Sequence, residues 1–172
     1  MNASARTAHP HWTTPPEVLD RLYPMGTVYL DPASNPASIV VARDTFRFLA
    51  EDSRDGLVEP WSRDGLNFCN PPYGRALAPW TAKMAAEAKL GAEIVALLPS
   101  ATGPRWFHES VATADVILFW RGRLKFGNQP ASGASSSTFD NMLVYWAGER
   151  PDGLDAFYGA FRGCGVFVRP HA

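Results

Sequence analysis

Residues 66–98 read LNFCNPPYGRALAPWTAKMAAEAKLGAEIVALL, and the order of signals in this stretch decides the fold. Leu66-Asn67-Phe68-Cys69 is a short, mostly apolar run of the kind that forms a buried strand. It empties into Asn70-Pro71-Pro72-Tyr73-Gly74. Proline has no N–H to give to a sheet ladder and a fixed φ, so the chain must leave the strand there. Ala76 to Leu90 is then rich in Ala, Lys, Glu, Leu and Met and is closed by Gly91, the composition and ending of a helix. Glu93 to Leu98 (EIVALL) has no polar alternation and predicts a strand covered on both faces, stopped by Pro99. Strand, turn, helix and strand in succession make the unit from which parallel sheets are built.

The same alternation extends outward from this stretch. Downstream, Arg105 to Ala112 predicts a short helix, Val116 to Trp120 a strand, Phe139 to Ala147 and Gly165 to Val168 further strands, and Leu154 to Phe161 a helix between the last two. Upstream, Thr14-Pro15-Pro16-Glu17 reads as a helix entry with Thr14 as cap. Val18, Leu19 and Leu22 give that helix one apolar face, and it ends near Pro24. Thr27 to Leu30 (TVYL) predicts a strand delivering Asp31 to a turn, Asp31-Pro32-Ala33-Ser34. Ile39 to Ala42 is a further candidate strand, and Ala50 to Asp64 is read as loop. The expectation is a layered α/β fold with a mostly parallel sheet, reduced in size if the short interval after Asp31 leaves no room for a full set of elements.

With 172 residues, 46% hydrophobic and 19% charged, the chain suits one globular domain over residues 1–172. Residues 1–11 read as a flexible start, and residues 121–139, which include the run ASGASSST, as a mobile loop on the substrate side. No apolar run reaches the roughly 20 residues that span a bilayer, and Met1 to Pro10 is polar, so a cytoplasmic protein without membrane contact is expected. Cys69 and Cys164 lack metal-ligand or redox spacing, which predicts buried thiols and no metal. At a formal net charge of -1, binding to a phosphate backbone would need a local cluster of Arg and Lys.

Asn70-Pro71-Pro72-Tyr73 carries the most defined chemistry. An exocyclic amine on a base is a poor nucleophile because its lone pair is delocalised into the ring. An enzyme must localise that pair, and two acceptors on the same NH2 group do so. The Asn70 side-chain oxygen and the Pro71 carbonyl can each take one hydrogen, on a backbone stiffened by proline. Tyr73 then offers a flat face to a base held out of its stack. Asp31, at a strand end where ligands of open α/β sheets gather, suits the ribose or the charged amino group of a cofactor. Trp12-Thr13-Thr14-Pro15 places a hydroxyl and main-chain amides at a helix start, suited to a carboxylate.

WTTP, LDPAS and NPPYG in this order resemble the phage-type DNA N-6-adenine methyltransferase family, relatives of the Dam methylases. The resemblance runs from Trp12 to about Trp146. It implies a Rossmann-like class I methyltransferase fold with helices on both faces of the sheet, S-adenosylmethionine as donor, and transfer to N6 of adenine in DNA. It makes Trp12, Thr14, Pro15, Asp31, Pro32 and Ala33 cofactor-binding and Asn70, Pro71, Pro72 and Tyr73 catalytic. Leu97-Leu98-Pro99 resembles the strand walling the base pocket, and Gly122 to Phe126 (GRLKF) a family element of open role. Where the wider superfamily has a glycine-rich loop after the first strand, this chain has Ser34-Asn35-Pro36. Asp44, Asp55 or Asp64 then becomes the partner of the adenosine, with Asp55 favoured. Arg75, Arg105, Arg121, Arg123 and Lys125 are the candidates for DNA contact. Two rival functions share these residues: methylation of RNA or of a protein glutamine by the same Asn-Pro-Pro-Tyr chemistry, and a catalytically silent nucleic-acid-binding module. Oligomeric state is left open.

Overall fold

The computed structural model describes residues 13–47, 54–127 and 139–170. Their seven strands are β1 (Val28–Ser34), β2 (Ala42–Arg47), β3 (Leu66–Cys69), β4 (Ile94–Pro99), β5 (Val116–Trp120), β6 (Asn141–Trp146) and β7 (Gly165–Val168). Four α-helices accompany them: α1 (Pro16–Leu22), α2 (Leu77–Lys89), α3 (Arg105–Glu109) and α4 (Gly153–Ala160). All strands join one sheet in the order β2-β1-β3-β4-β6-β5-β7. β1 is parallel to β2 and β3, and β3 to β4. β6 lies antiparallel between β4 and β5, and β7 is antiparallel to β5. Strands β1 to β5 therefore all run one way, and their C-terminal ends share one edge.

Side chains alternate across each strand, so one strand feeds two cores. In β4, Ile94, Ala96 and Leu98 join Trp80 and Met84 of α2 and Val111 just after α3. Val95 and Leu97 join Val18, Leu19 and Leu22 of α1 and Phe157 of α4. These five β4 residues have no exposed surface, which is the physical reason for an unbroken apolar run with helices on both sides. On the second face Tyr145 stacks flat on Phe157 at 4.7 Å between ring centres. The exposed turn after α2 is closed by Gly91 at φ +99°, as its sequence position suggests.

Several expectations need correction. Asp31 to Ser34 are not a turn but the second half of β1, paired with β2 on one side. Pro32 is tolerated there because the register slips between Asp31 and Ser34, a bulge that needs no N–H from the proline. The strand anticipated at Ile39 to Ala42 begins only at Ala42, and Ile39 and Val41 are exposed in the connection. That connection is shorter than the dozen or so residues usual between parallel neighbours; the Val41 amide donates to the Tyr23 hydroxyl at 3.0 Å and pins it. The sheet is not reduced, since β6 and β7 extend it beyond the parallel set. The helix expected to Ala112 stops at Glu109 and gives way to a 3-10 turn, Val111–Thr113. Cys69 is buried, whereas Cys164 is only half-buried. Residues 1–12, the segment 48–53 and most of the 121–139 loop lie outside the described residues, and with them the flexible-start and mobile-loop readings.

Candidate active site

The C-terminal edge of the parallel strands gathers most of the residues singled out by their chemistry. β3 ends at Cys69, so Asn70 is the first residue past the sheet, with β1 on one side and β4 on the other. Pro71 is buried and Pro72 and Tyr73 are half-buried; a single 3-10 turn, Gly74–Ala76, then leads into α2. Asn70 is half-buried, and its Nδ2 donates to Thr14 Oγ1 at 3.2 Å. Thr14 therefore does not cap α1. The N-cap position is taken by Pro15, without a side-chain cap, and Pro16 opens the helix. Because neither proline has an N–H, this helix start offers fewer amide donors to an anion than the sequence suggested.

Thr14 is carried to Asn70 by a strap. Thr13 and Gly127 exchange both main-chain hydrogen bonds at 3.3 Å, an isolated antiparallel bridge between the segment before α1 and the segment after β5. Gly127 makes room for this approach, since a Cβ would overlap Thr13 Oγ1 as it stands. This gives the Gly122 to Phe126 element a place: Leu124 and Phe126 are buried, and Phe126 meets the Tyr73 ring edge-on at 6.2 Å. Phe139 meets the same ring at 5.4 Å. The Tyr73 hydroxyl donates to the Leu97 carbonyl at 3.2 Å. Burial pushes this phenol well above its ordinary range, against a smaller downward pull from its hydrogen bond with Asn141. Tyr73 is thus anchored by its hydroxyl on β4 and by ring contacts with Phe126 and Phe139, which leaves it a fixed half-buried ring rather than a free one.

Asp31 lies inside β1 and is 4% exposed. Its oxygens accept from the Ala33 amide at 3.2 Å and the Ser38 hydroxyl at 3.3 Å. Burial pushes its carboxyl up to about 7, although hydrogen bonds from Ala33, Ser38 and Ser34 pull the other way. None of the ion pairs among the described residues includes it. Cys69, next to Asn70, is close enough to Asp31 to feel its charge, which adds to burial in pushing the thiol up. β1 and β3 are neighbours, so Asp31, inside β1, and Asn70, just past the end of β3, are carried on adjacent strands. Pro32 and Ala33 are buried in the same strand.

The acidic candidates for adenosine separate in space. Asp64 lines a cavity of about 480 Å³ at the opposite edge of the sheet, with Tyr29, Arg63 and Glu93. Asp44, on β2, is tied to Arg54. Asp55 accepts from the Leu57 amide in an exposed turn, and the adjoining Gly56 sits so close to the Pro32 carbonyl that a Cβ would overlap it. Asp55 is thereby held near Pro32, while Asp44 lies opposite Leu30 on the neighbouring strand, so both stand beside β1. Of the cations, Arg75, Arg121, Arg123 and Lys125 are exposed around the site edge. Arg123 lies 3.9 Å from Asp140, and Arg105 on α3 is occupied by Glu109 at 2.7 Å. Trp12 lies outside the described residues. Among those residues no cluster of His, Cys, Asp and Glu could hold a metal, and no helix is long and apolar enough to cross a membrane.

The sequence assigns no role to Ser38, Gly127, Phe139 or Asn141, and Thr13 stands out only within Trp12-Thr13-Thr14-Pro15. Ser38 reaches Asp31 across seven positions, whereas the contacts of Thr13 with Gly127 and of Phe139 and Asn141 with Tyr73 are long-range and leave no local signal.

In this α/β protein, acceptors just past β3, a buried carboxylate on the adjacent strand and an anchored aromatic ring gather toward the carboxyl edge of the sheet, the edge at which open α/β folds bind their ligands. A family model described as DNA N-6-adenine-methyltransferase (Dam) matches residues 3–152. The chain belongs to that family, which at family level makes it a DNA adenine-N6 methyltransferase. No curated protein matches it.

Proposed function

We propose that this chain transfers the methyl group of S-adenosylmethionine to N6 of adenine at particular sites in DNA, on a Rossmann-like class I methyltransferase fold formed by a single domain. The observation that carries this reading is Asn70, placed at the end of β3 with its Nδ2 already bound to Thr14. That leaves Oδ1 for the amine, beside the carbonyl of a proline-stiffened turn. With two acceptors on its hydrogens, the amine nitrogen is drawn out of conjugation and its lone pair is aimed. The anchored ring of Tyr73 is offered to the extruded base, where stacking on an aromatic is worth about 1–3 kcal/mol.

The residues present fit the donor. A buried carboxylate that is hydrogen-bonded to hydroxyls and an amide favours a cation near it, and S-adenosylmethionine is cationic at sulfur and at its amino group. Asp31, with Pro32 and Ala33 in the same strand and Asp55 in the adjoining loop, would hold it. Bound there, the donor supplies an electrophilic methyl, and the protein supplies orientation and charge.

The test is incubation with labelled S-adenosylmethionine and separate DNA, RNA and protein pools, followed by digestion of the DNA to nucleosides and mass identification. Label in DNA as N6-methyladenine is expected, concentrated at a common short sequence. Label confined to RNA or protein would overturn the choice of acceptor, and DNA binding without donor binding would make the chain a silent module. Asn70→Ala is expected to lower turnover at least a hundredfold while donor affinity, read by calorimetry, stays within a few-fold.

A further inference from the structure

We propose that the Ser38 hydroxyl is a positioning group for Asp31, donating to its carboxylate and holding it in the charged form that meets the methyl donor. This deepens the function proposed above and rests on it. Asp31 is 4% exposed, so water does little to support its charge, and none of the ion pairs among the described residues includes it. The charged form therefore depends on the hydrogen bonds that the fold brings to it. The Ala33 amide, which can only donate, reaches Oδ1 at 3.2 Å, and the Ser38 hydroxyl reaches Oδ2 at 3.3 Å. The Ser34 side chain, in the same strand, adds a third bond.

Ser38 is delivered by the connection between β1 and β2. Asn35 closes a turn there, accepting from the Ser38 amide on its carbonyl and from the Ala37 amide on its side chain, both at 2.9 Å. Three residues past Ser38, the Val41 amide is bound to the Tyr23 hydroxyl at 3.0 Å. A connection too short for the usual helix is thus fastened on both sides of Ser38. The hydroxyl is also directed. The Val40 amide donates to Ser38 Oγ at 3.3 Å, which takes up one of its lone pairs and leaves its hydrogen for Asp31. An ionised carboxylate can only accept, so toward the charged form of Asp31 the hydroxyl must donate. A protonated Asp31 could instead donate to the remaining lone pair of Oγ, but that bond joins two neutral groups. The bond to the carboxylate is roughly twice as strong, so Ser38 favours the charged form.

Ser38→Ala removes the hydroxyl and Ser38→Thr keeps it. The Asp31 carboxyl carbon, assigned by NMR through its absence in Asp31→Asn, is expected to titrate with a midpoint of about 7 in wild type without any ligand. The midpoint should lie about one pH unit higher in Ser38→Ala and within about 0.3 unit of wild type in Ser38→Thr. Cys69 on β3 is the titratable side chain that senses Asp31, and burial keeps its thiol protonated over this range. The charged groups beside β1 are Asp44 with Arg54, and Asp55 near Pro32, and they are the same in every variant. Because the carboxylate holds the cationic S-adenosylmethionine, its affinity for Ser38→Ala should be about tenfold weaker than for wild type at pH 6 and within about twofold at pH 8.5, where Asp31 is mostly ionised in both. Comparing the two proteins at each pH cancels the ligand's own titration. In the Asp31→Asn background Ser38→Ala should change that affinity by less than about twofold at either pH. An unmoved Asp31 midpoint in Ser38→Ala overturns the proposal, and so does an affinity loss of equal size at both pH values, which would mean that the hydroxyl touches the ligand or only supports the loop. If wild type binds no S-adenosylmethionine, the function above fails, and the carboxyl titration still reads whether Ser38 holds the Asp31 charge.

Discussion

Asp31 is held by the Ala33 amide and by serine hydroxyls, and burial pushes its carboxyl up to about 7 from an unfolded value of 3.8. Between those values the folded chain keeps a proton that the unfolded chain gives up. The stability this group contributes is therefore complete below about pH 3.8 and is lost as the pH rises through about 7. Asp31→Asn keeps the shape and removes the charge. Its melting temperature is expected to exceed wild type by several degrees at pH 8, with the gap shrinking as the pH falls toward 4, since about 1 kcal/mol moves a chain of this size by roughly 2–4 °C. Thermal unfolding across that pH range checks it. Donor binding should run the other way. A cation is held by the carboxylate form, so donor affinity in wild type should rise about tenfold between pH 6 and pH 8, the range over which such a group ionises. In Asp31→Asn it should be weaker throughout and lack that rise; a parallel pH profile in both proteins would remove Asp31 from the donor site. Under the proposed function, the charge that costs stability is the one that holds the donor.

The strap is an element-scale device, because two short segments fix each other outside the sheet ladder. Gly127→Ala puts a Cβ into Thr13 Oγ1, so either the Thr13 side chain turns away or the bridge yields, and both disturb the strap. Since the bridge is isolated from the seven strands, the expected outcome is a several-fold loss of kcat at saturating donor with a melting temperature within about 2 °C of wild type. A loss of folding instead would make the bridge structural. The same contrast between local and distant contacts governs what was legible in the sequence. β3, α2 and β4 could be read nearly to the residue, because apolar runs, helix formers, two prolines and Gly91 are local signals. β1 was cut short at Leu30 because Asp-Pro reads as a turn, whereas a bulge absorbs the proline. β2 was misplaced because the apolar residues Ile39 and Val41 lie in the connection, while the more polar ARDTFR forms the edge strand. At the site, Asn70 is legible as an amide just past a strand and Asp31 as an acidic residue on an earlier strand, though inside it rather than at its end, and the Thr14 bond spans 56 positions with no local pattern to encode it.

Charge is a property of the whole molecule, and at a net -1 the overall field does not draw a polyanion. The distribution is uneven, however. At the edge opposite the site, Arg150 is bound to Glu93 and Asp152, and Arg63 lies 3.8 Å from the buried Glu87. The charge of Arg150 is largely spent within the protein, and that of Arg63 is only loosely paired. At the site edge Arg75, Arg121 and Lys125 appear in none of the ion pairs among the described residues, and Arg123 has only a distant one. If DNA lies across this edge, about four phosphates are neutralised, and the logarithm of the binding constant should fall with the logarithm of salt concentration with a slope of about −3 to −4. Arg121→Ala or Lys125→Ala should reduce that slope by about one and weaken binding to all sequences alike. Arg63→Ala should leave it unchanged, and Arg105→Ala nearly so, because Glu109 already holds that guanidinium. Anisotropy titrations at several salt concentrations read these slopes. A larger change from Arg63 than from Arg121 would place the DNA on the wrong edge of the sheet for the Asn70 chemistry, because a base extruded there could not reach the end of β3.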